Sequence, residues 1–409
     1  VTPRTVYNIW KLGKENLYNG AGFMDVTNKR AKCGRKKKDY PDAIANISTI
    51  PFCQRQTLAG TAAAASIPKT TLWRRKQEGA LIVHNSTTKP LLTDVNKEAR
   101  VRFCVNHVDR QLTGRYSFQD MMDTIHIDEK WFYLTKPTVK TYLAPGEAAP
   151  DRKAKSKRFI TKVMFLCAVA RPRYDTANNV RFDGKIGIWP FTHQVAAKRS
   201  SRNRAAGTMV TQCIPSIDKS VYKSFLIDKL LPAIKSKWPR CHQHMAIKIQ
   251  QDNARPHISG DDADFVAAVN TTGLNISLVQ QPPNSPDLNV LDLGYFNAIQ
   301  SLQQKQQQRT IDDLVTAVTY SFTNLQSTTL DKVFITLQQV MELVILHGGC
   351  NNYKLPHLGK DKLIREGRLM ITVPVSESLK QKLDELNNTT QTAVATATPD
   401  VDVDLGAMV

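Results

Sequence analysis

Seven consecutive apolar residues, Val163-Met164-Phe165-Leu166-Cys167-Ala168-Val169, constrain this chain more than any other stretch. The run is too short to cross a bilayer. It also lacks the polar alternation that would leave one face in water, so it predicts a strand covered on both sides. Around it, Thr124–Leu134, Val139–Leu143, Phe159–Ala170, Ala246–Gln251 and Leu274–Gln280 read as strands. Asp218–Trp238 and Asp261–Val269 read as helices, and a further helix begins near Val290. In the first of these, Val221, Phe225, Leu230 and Ile234 would face inward and Pro232 would bend the axis. The stretch 171–217 is rich in Gly, Pro and basic residues and reads as an insertion, with one strand-like piece at Lys185–Trp189. Residues 121–308 are thus expected to form an α/β mixed sheet with helices on both faces.

The segments on either side read as helical. Residues 2–14 form one amphipathic helix, with Thr2 as its cap and Pro3 in its first turn. The chain opens on Val1, which suggests a start inside a longer protein and makes residues 1–26 the remnant of a larger helical domain. Residues 27–45 read as a basic linker that holds Lys36, Lys37 and Lys38. Such a run lies along phosphates, serves nuclear import or is a solvated tether. Within residues 46–90, Gln54–Ala65 and the segment beginning at Lys69 read as helix–turn–helix, broken by Ser66-Ile67-Pro68 and ended by Gly79. Lys69, Thr70, Thr71, Arg74, Arg75 and Lys76 would then lie on the helix offered to the major groove. The alternative is an ordinary α-hairpin. A linker helix within 91–120 places Val95, Ala99, Phe103 and His107 at four-residue spacing. Residues 309–385 are helical, with a capping arrangement at Thr310 and Asp313 and apolar stripes that read as packing. Residues 386–409 read as a disordered acidic tail.

Charge narrows the function. The net charge is +20, and residues 1–90 hold 16 Lys/Arg against 5 Asp/Glu. More than half of the surplus therefore lies in under a quarter of the chain, which favours a polyanionic partner over mere solubility. Seven cysteines without paired spacing fit a reducing compartment and buried thiols. Cys241-His242-Gln243-His244 has no complementary half for a zinc site and reads as a loop. No apolar run approaches a membrane span and no signal peptide opens the chain.

Against this basic background three acids stand at the edges of apolar runs. Strand alternation puts His126, Asp128 and Lys130 on one face, and Lys248, Gln250 and Asp252 likewise. If the two strands are neighbours, Asp128 and Asp252 meet, and either a shared proton or a cation must relieve their repulsion. Asp292 falls in the first turn of a helix that Asn289 would cap. Each acid has a bland alternative: a turn start for Asp252, a dipole partner for Asp292, and an ion pair with Lys130 for Glu129. Asp287 reads as a turn residue and ranks below Asp292 as a ligand.

The segments Ile127-Asp128-Glu129-Lys130-Trp131-Phe132, Gln251-Asp252-Asn253-Ala254-Arg255-Pro256-His257 and Asn284-Ser285-Pro286-Asp287-Leu288-Asn289 resemble the signature blocks of mariner-like transposases, of the Tc/mariner superfamily. The resemblance implies a ribonuclease-H-like core with a catalytic and metal-binding triad at Asp128, Asp252 and Asp292. It further implies Mg²⁺ or Mn²⁺ as cofactor, bound as two ions, with Asn253 and His257 behind the ligands. Thirty-nine residues separate Asp252 from Asp292, a spacing similar to the plant-type group and longer than that of animal mariners. Asn351-Asn352-Tyr353-Lys354 resembles the same group. Two features depart from the family. The first of its two helix–turn–helix units is reduced to one helix, and Gly34-Arg35 is followed by Lys36 where an AT-hook has Pro.

The implied activity is cut-and-paste transposition in the nucleus. A homodimer would bind double-stranded terminal inverted repeats, cleave them and join the ends to target DNA. Basic stretches Arg152–Arg158 and Lys198–Arg204 would track phosphates. A decayed or domesticated relative that only binds DNA is the alternative, favoured by the shortened N-terminus. A nuclease for RNA–DNA hybrids is a third reading, disfavoured by the helix–turn–helix.

Overall fold

The computed structural model describes residues 1–20, 40–83, 89–112, 114–135, 147–148, 160–202 and 204–395, with side chains of the last helix up to residue 387. Lys36, Lys37, Lys38, the segments Val139–Leu143 and Arg152–Arg158, and the acidic end of the tail lie outside these residues. The chain divides into two units, Val1–Thr88 and Lys89–Val409.

The first unit begins with α1 (Pro3–Tyr18), longer than its expected end at residue 14. Thr2 does not cap it through a backbone N–H; its hydroxyl pairs with that of Thr5 instead. After α2 (Pro41–Ala45) comes α3 (Leu58–Ala64), then α4 (Lys69–Gln77). The expected single helix from Gln54 is split. A 3₁₀ turn covers Phe52–Arg55, and α3 starts afresh where the Thr57 hydroxyl accepts from Gly60 N at 3.0 Å. That bond satisfies one of the donors every helix start leaves open. Ser66, at φ 53°, turns the chain between α3 and α4. Ile47, Ala62, Ile67 and Leu72 form the small core that holds the helix–turn–helix together.

The second unit opens with α5 (Asp94–Val105), capped by Thr93. Its buried residues are Arg100 and Cys104, whereas Val95 of the expected stripe is exposed. A hairpin of β1 (Val108–Arg110) and β2 (Tyr116–Phe118) leads to β3 (Thr124–Tyr133) and β4 (Lys162–Ala170). A second hairpin, β5 (Arg173–Asp175) with β6 (Val180–Phe182), is followed by β7 (Lys185–Pro190). A third pairs β8 (Thr192–Ala196) with β9 (Met209–Cys213). Then come α6 (Lys219–Phe225), α7 (Leu231–Lys237), β10 (Ile247–Gln251), α8 (Ala263–Thr272) and β11 (Ile276–Gln280). The chain continues through α9 (Phe296–Gln303), α10 (Ile311–Asn324), α11 (Ser327–Leu346), α12 (Lys360–Arg365) and α13 (Glu377–Ala395).

The central sheet has the order β11-β10-β3-β4-β7. β11, β10 and β3 run parallel, while β4 and β7 are antiparallel to their neighbours. Two departures from the sequence reading follow. Lys185–Trp189 belongs to an edge strand of this sheet, so the insertion spanning 171–217 is really two hairpins around a core strand. Residues 386–395 are helical in α13 and not tail, because Leu379 and Leu383 anchor that helix in the core.

Strand alternation divides the core. Ile125, Ile127, Leu166, Ala168, Ile247 and Ile249 pack on Tyr222, Leu226, Leu230 and Ile234 of the α6–α7 layer and on Phe265 of α8. Phe132, Phe165, Cys167 and Val169 pack on Phe296, Val318, Phe334 and Leu337 of the α9–α11 layer. Each apolar side chain so buried contributes roughly 1.5–3 kcal/mol. The α6–α7 helix widens to a π turn over Leu226–Leu230, just before Pro232, whose missing N–H leaves the ordinary ladder incomplete. Among the described residues no helix is long and apolar enough to cross a membrane.

Candidate active site

The pairing of β10 with β3 sets Lys248 opposite Thr124, Ile249 opposite Ile125 and Gln250 opposite His126. Two residues further along the same register, Asp252 comes beside Asp128 just past the end of β10. Asp128 is on the α9–α11 side of the sheet, opposite Cys167 of β4. Asp292 approaches from the same side, in a π turn over Leu291–Tyr295 that leads into α9. Asn289 fixes that approach. Its Oδ1 accepts from Leu291 N at 3.0 Å and its Nδ2 donates to Ile127 O at 3.1 Å, so one amide both starts the helix and ties it to β3.

The three carboxyls are not equivalent. Burial first, then the neighbouring Asp292 and Glu129, hold the Asp128 carboxyl well above the usual carboxylate range. The Glu129 N–H, 2.8 Å from Asp128 Oδ1, pulls the other way. Asp292 is raised by burial, against the lowering effects of Lys130 and of its hydrogen bond with Asp128. A cation at this pair would relieve the cost of ionising both carboxyls. Lys130 Nζ lies 3.9 Å from Asp292 Oδ1 and over the Phe296 ring. Asp252 is lowered, first by the hydrogen bond from His257. Its Oδ1 also accepts from Ala254 N at 2.9 Å.

His257 spans two carboxylates. Its Nδ1 is 2.9 Å from Asp252 Oδ1, and its Nε2 is 3.2 Å from Glu129 Oε2. Burial alone would lower its pKa, but the hydrogen bonds to Asp252 and Glu129 more than offset this and raise it to about 10. Both ring nitrogens therefore donate. Glu129 thus pairs with His257 and not with Lys130. Asn253 turns away from the carboxylates and donates to Gln281 O at 2.6 Å, where it ties the ends of β10 and β11.

The donor set suits a divalent ion of the Mg²⁺ or Mn²⁺ kind. It offers hard carboxylate oxygens, two of them from carboxyls whose pKa burial raises, a cost of ionisation that a cation would offset. No three His, Cys, Asp or Glu side chains stand as a finished metal cage among the described residues. Asp128 and Asp292 form the tight pair, and Asp252 is turned toward His257.

On α4 the side chains divide. Leu72 is fully buried, Thr71 is half-buried, and Arg75 pairs with Glu78 at 2.9 Å. Lys69, Thr70, Arg74 and Lys76 are exposed. Sequence reasoning missed the Glu129–His257 contact, which crosses the sheet and joins residues 128 apart. It also missed Arg100, whose basic character hides its burial.

A five-stranded mixed sheet of this order, layered by helices and with acids gathered at one end of one face, is a ribonuclease-H-like fold. Solved structures that it resembles include those of the Mos1 transposase. A pre-cleavage Mos1 transpososome matches with a TM-score of 0.53 and 18% identity, over 82% of this chain and 86% of that one. The Mos1 mariner paired end complex with Mn matches at 0.52 and 18%, over 87% and 89%. The Mos1 strand transfer complex matches at 0.50 and 18%, over 83% and 86%. No protein-family model matches the sequence. No curated protein matches it either.

Proposed function

We propose that this chain is a mariner-like DNA transposase that binds transposon ends, cleaves them and transfers the strands. The observation that supports this most is the pairing of Asp128 with Asp292 at one end of one sheet face, with Asp252 near enough to raise the pKa of both. The fold shared with Mos1 complexes that include a transpososome and a strand transfer complex supports it further.

In this reading Asp128, Asp252 and Asp292 hold Mg²⁺ or Mn²⁺, and two ions fit phosphoryl chemistry best. When bound, such ions activate water and stabilise the leaving oxygen of a phosphodiester. The chain's own groups prepare that site. Lys130 lies beside Asp292 and favours its ionised form, Asn289 sets the height of Asp292 above β3, and His257 with Ala254 N holds Asp252 Oδ1. Lys69, Thr70, Arg74 and Lys76 of α4 contact DNA. Lys36, Lys37 and Lys38, with Lys198–Arg204, contact phosphates. Pairing of two ends calls for a homodimer, and a chromosomal DNA substrate supports work in the nucleus.

The test is Asp252→Asn with Mg²⁺ and a duplex that carries the repeat end. Loss of at least about a thousandfold in cleavage is expected, the scale on which transition-state charge stabilisation is lost. Cleavage at the normal rate removes the triad from the mechanism.

A further inference from the structure

Resting on that reading, we propose that Glu129 and His257 form a positioning pair that fixes Asp252 from the opposite face of the sheet. Neighbouring residues of a strand point to opposite faces. Asp128 therefore faces Asp292, while Glu129 faces the α6–α7 layer and cannot join the other acids. There it lines a cavity of about 220 Å³ together with Trp131, Met164, Tyr222 and His257.

Three neighbours, Tyr222, Glu129 and Asp252, restrict His257. The ring lies 4.2 Å from the Tyr222 ring, within 18° of parallel. Tyr222 is itself held, since its hydroxyl donates to Gln251 Oε1 at 3.0 Å. The His257 side chain is 4% exposed. One nitrogen meets Glu129 Oε2, and the other meets both Oδ1 and the main-chain oxygen of Asp252 at 2.9 Å. Glu129 Oε1 is buried and has no hydrogen-bond partner among the described residues, so His257 is the polar contact of this carboxylate. A buried acid held in this way needs a reason to be there. Clamping the far nitrogen of His257 supplies one, because a ring held at both ends cannot swing away from Asp252.

The effect on Asp252 is directional. With Oδ1 committed to His257 and Ala254 N, Oδ2 is left for whatever approaches from the Asp128 side. Outer partners that orient a ligand carboxylate in this way typically contribute about 10- to 100-fold in metal affinity.

Mn²⁺ binding to the full chain, followed by the paramagnetic signal of free Mn²⁺ without any DNA, tests the pair. Glu129→Leu removes the acceptor beside Trp131 and Met164, and Glu129→Gln retains one. We expect Leu to weaken Mn²⁺ binding about tenfold and Gln to stay within about threefold of the unchanged chain. His257→Ala should weaken it at least as much as Leu, and the double variant no further, as for two groups that act through one contact. Thermal melting identifies any variant that fails to fold, and Glu129→Ala replaces Leu in that case. Unchanged Mn²⁺ affinity in the Leu or Ala variant, or losses that multiply in the double variant, overturn the proposal. Asp252→Asn separates this from the reading beneath it. If it abolishes Mn²⁺ binding while Glu129→Leu leaves the affinity unchanged, only the positioning pair fails. If Asp252→Asn binds Mn²⁺ normally, the metal site itself is misassigned.

Discussion

Arg100 grips Asp287 with both prongs of its guanidinium, Nη1 to Oδ1 and Nη2 to Oδ2, each at 2.7 Å. The Arg100 side chain is fully buried, its Nε donates to Gly349 O at 2.8 Å, and the Tyr353 hydroxyl also donates to Asp287. The acid inside the Ser285-Pro286-Asp287 block is therefore a structural anchor that joins α5, the turn before Asp292 and the segment after α11. Removing one partner strands the other charge in a poorly solvated place. Arg100→Ala should lower unfolding stability by about 3–5 kcal/mol, measured by urea denaturation. An unchanged midpoint contradicts this assignment.

Acid should weaken the same anchor. Burial alone would raise the Asp287 pKa, but Arg100 and the Tyr353 hydrogen bond hold it below its ordinary value. A depressed folded-state pKa gives stability that is full above the unfolded value, about 3.9, and is lost as pH falls through the folded value. Unfolding free energy should therefore drop below pH of about 4, and Asp287→Asn should flatten that part of the profile.

Alkali should act on His257 in the opposite sense. Its folded pKa is raised to about 10, so its contribution is full below the unfolded value near 6.5 and is lost as pH rises toward 10. Denaturation midpoints collected from pH 6 to 10 should fall in the unchanged chain and stay flatter in His257→Gln. Parallel profiles would exclude a doubly protonated ring.

Gly349→Ala offers a test of close packing in the same region. The residue has φ 84°, and an added Cβ would lie 2.2 Å from Lys97 O. Both the left-handed backbone and the collision oppose a side chain, so a loss of about 2 kcal/mol or more is expected from thermal melts. A neutral result would mean that α5 is not seated against this turn.

For α4, the exposed Arg74 and Lys76 should each contribute one phosphate contact. Alanine at either should weaken DNA binding across sequences and reduce the slope of log affinity against log salt by about one. Arg75, already paired with Glu78, should have a smaller effect. Equal slopes for all variants would remove α4 from the DNA interface.

Much of this was legible in the sequence. The run Val163–Val169 announced a strand covered on both faces, and Ile247 and Ile249 alternate with Lys248 and Gln250 as a strand must. The three acids stand out in the sequence because each follows or interrupts such a pattern. What was not legible depends on partners distant in the chain. Arg100 is buried only because Asp287 neutralises it, so its helix face cannot be read from apolar spacing. β7 looked like part of an insertion because hairpins flank it on both sides. The same holds for Glu129 and His257, whose contact exists only once the sheet and the turn after β10 are assembled. The two π turns, at Leu226–Leu230 and Leu291–Tyr295, leave no periodic signal either.

Asp128 and Glu129 are consecutive, yet they serve opposite layers of the protein. Strand length is therefore less forgiving here than loop length. A single residue inserted into β3 ahead of Asp128 would exchange the two acids, swinging the aspartate toward Tyr222 and the longer glutamate toward Asp292. Changes in the connecting hairpins leave that parity untouched, so the chain can vary widely around its sheet while the spelling of one strand stays fixed.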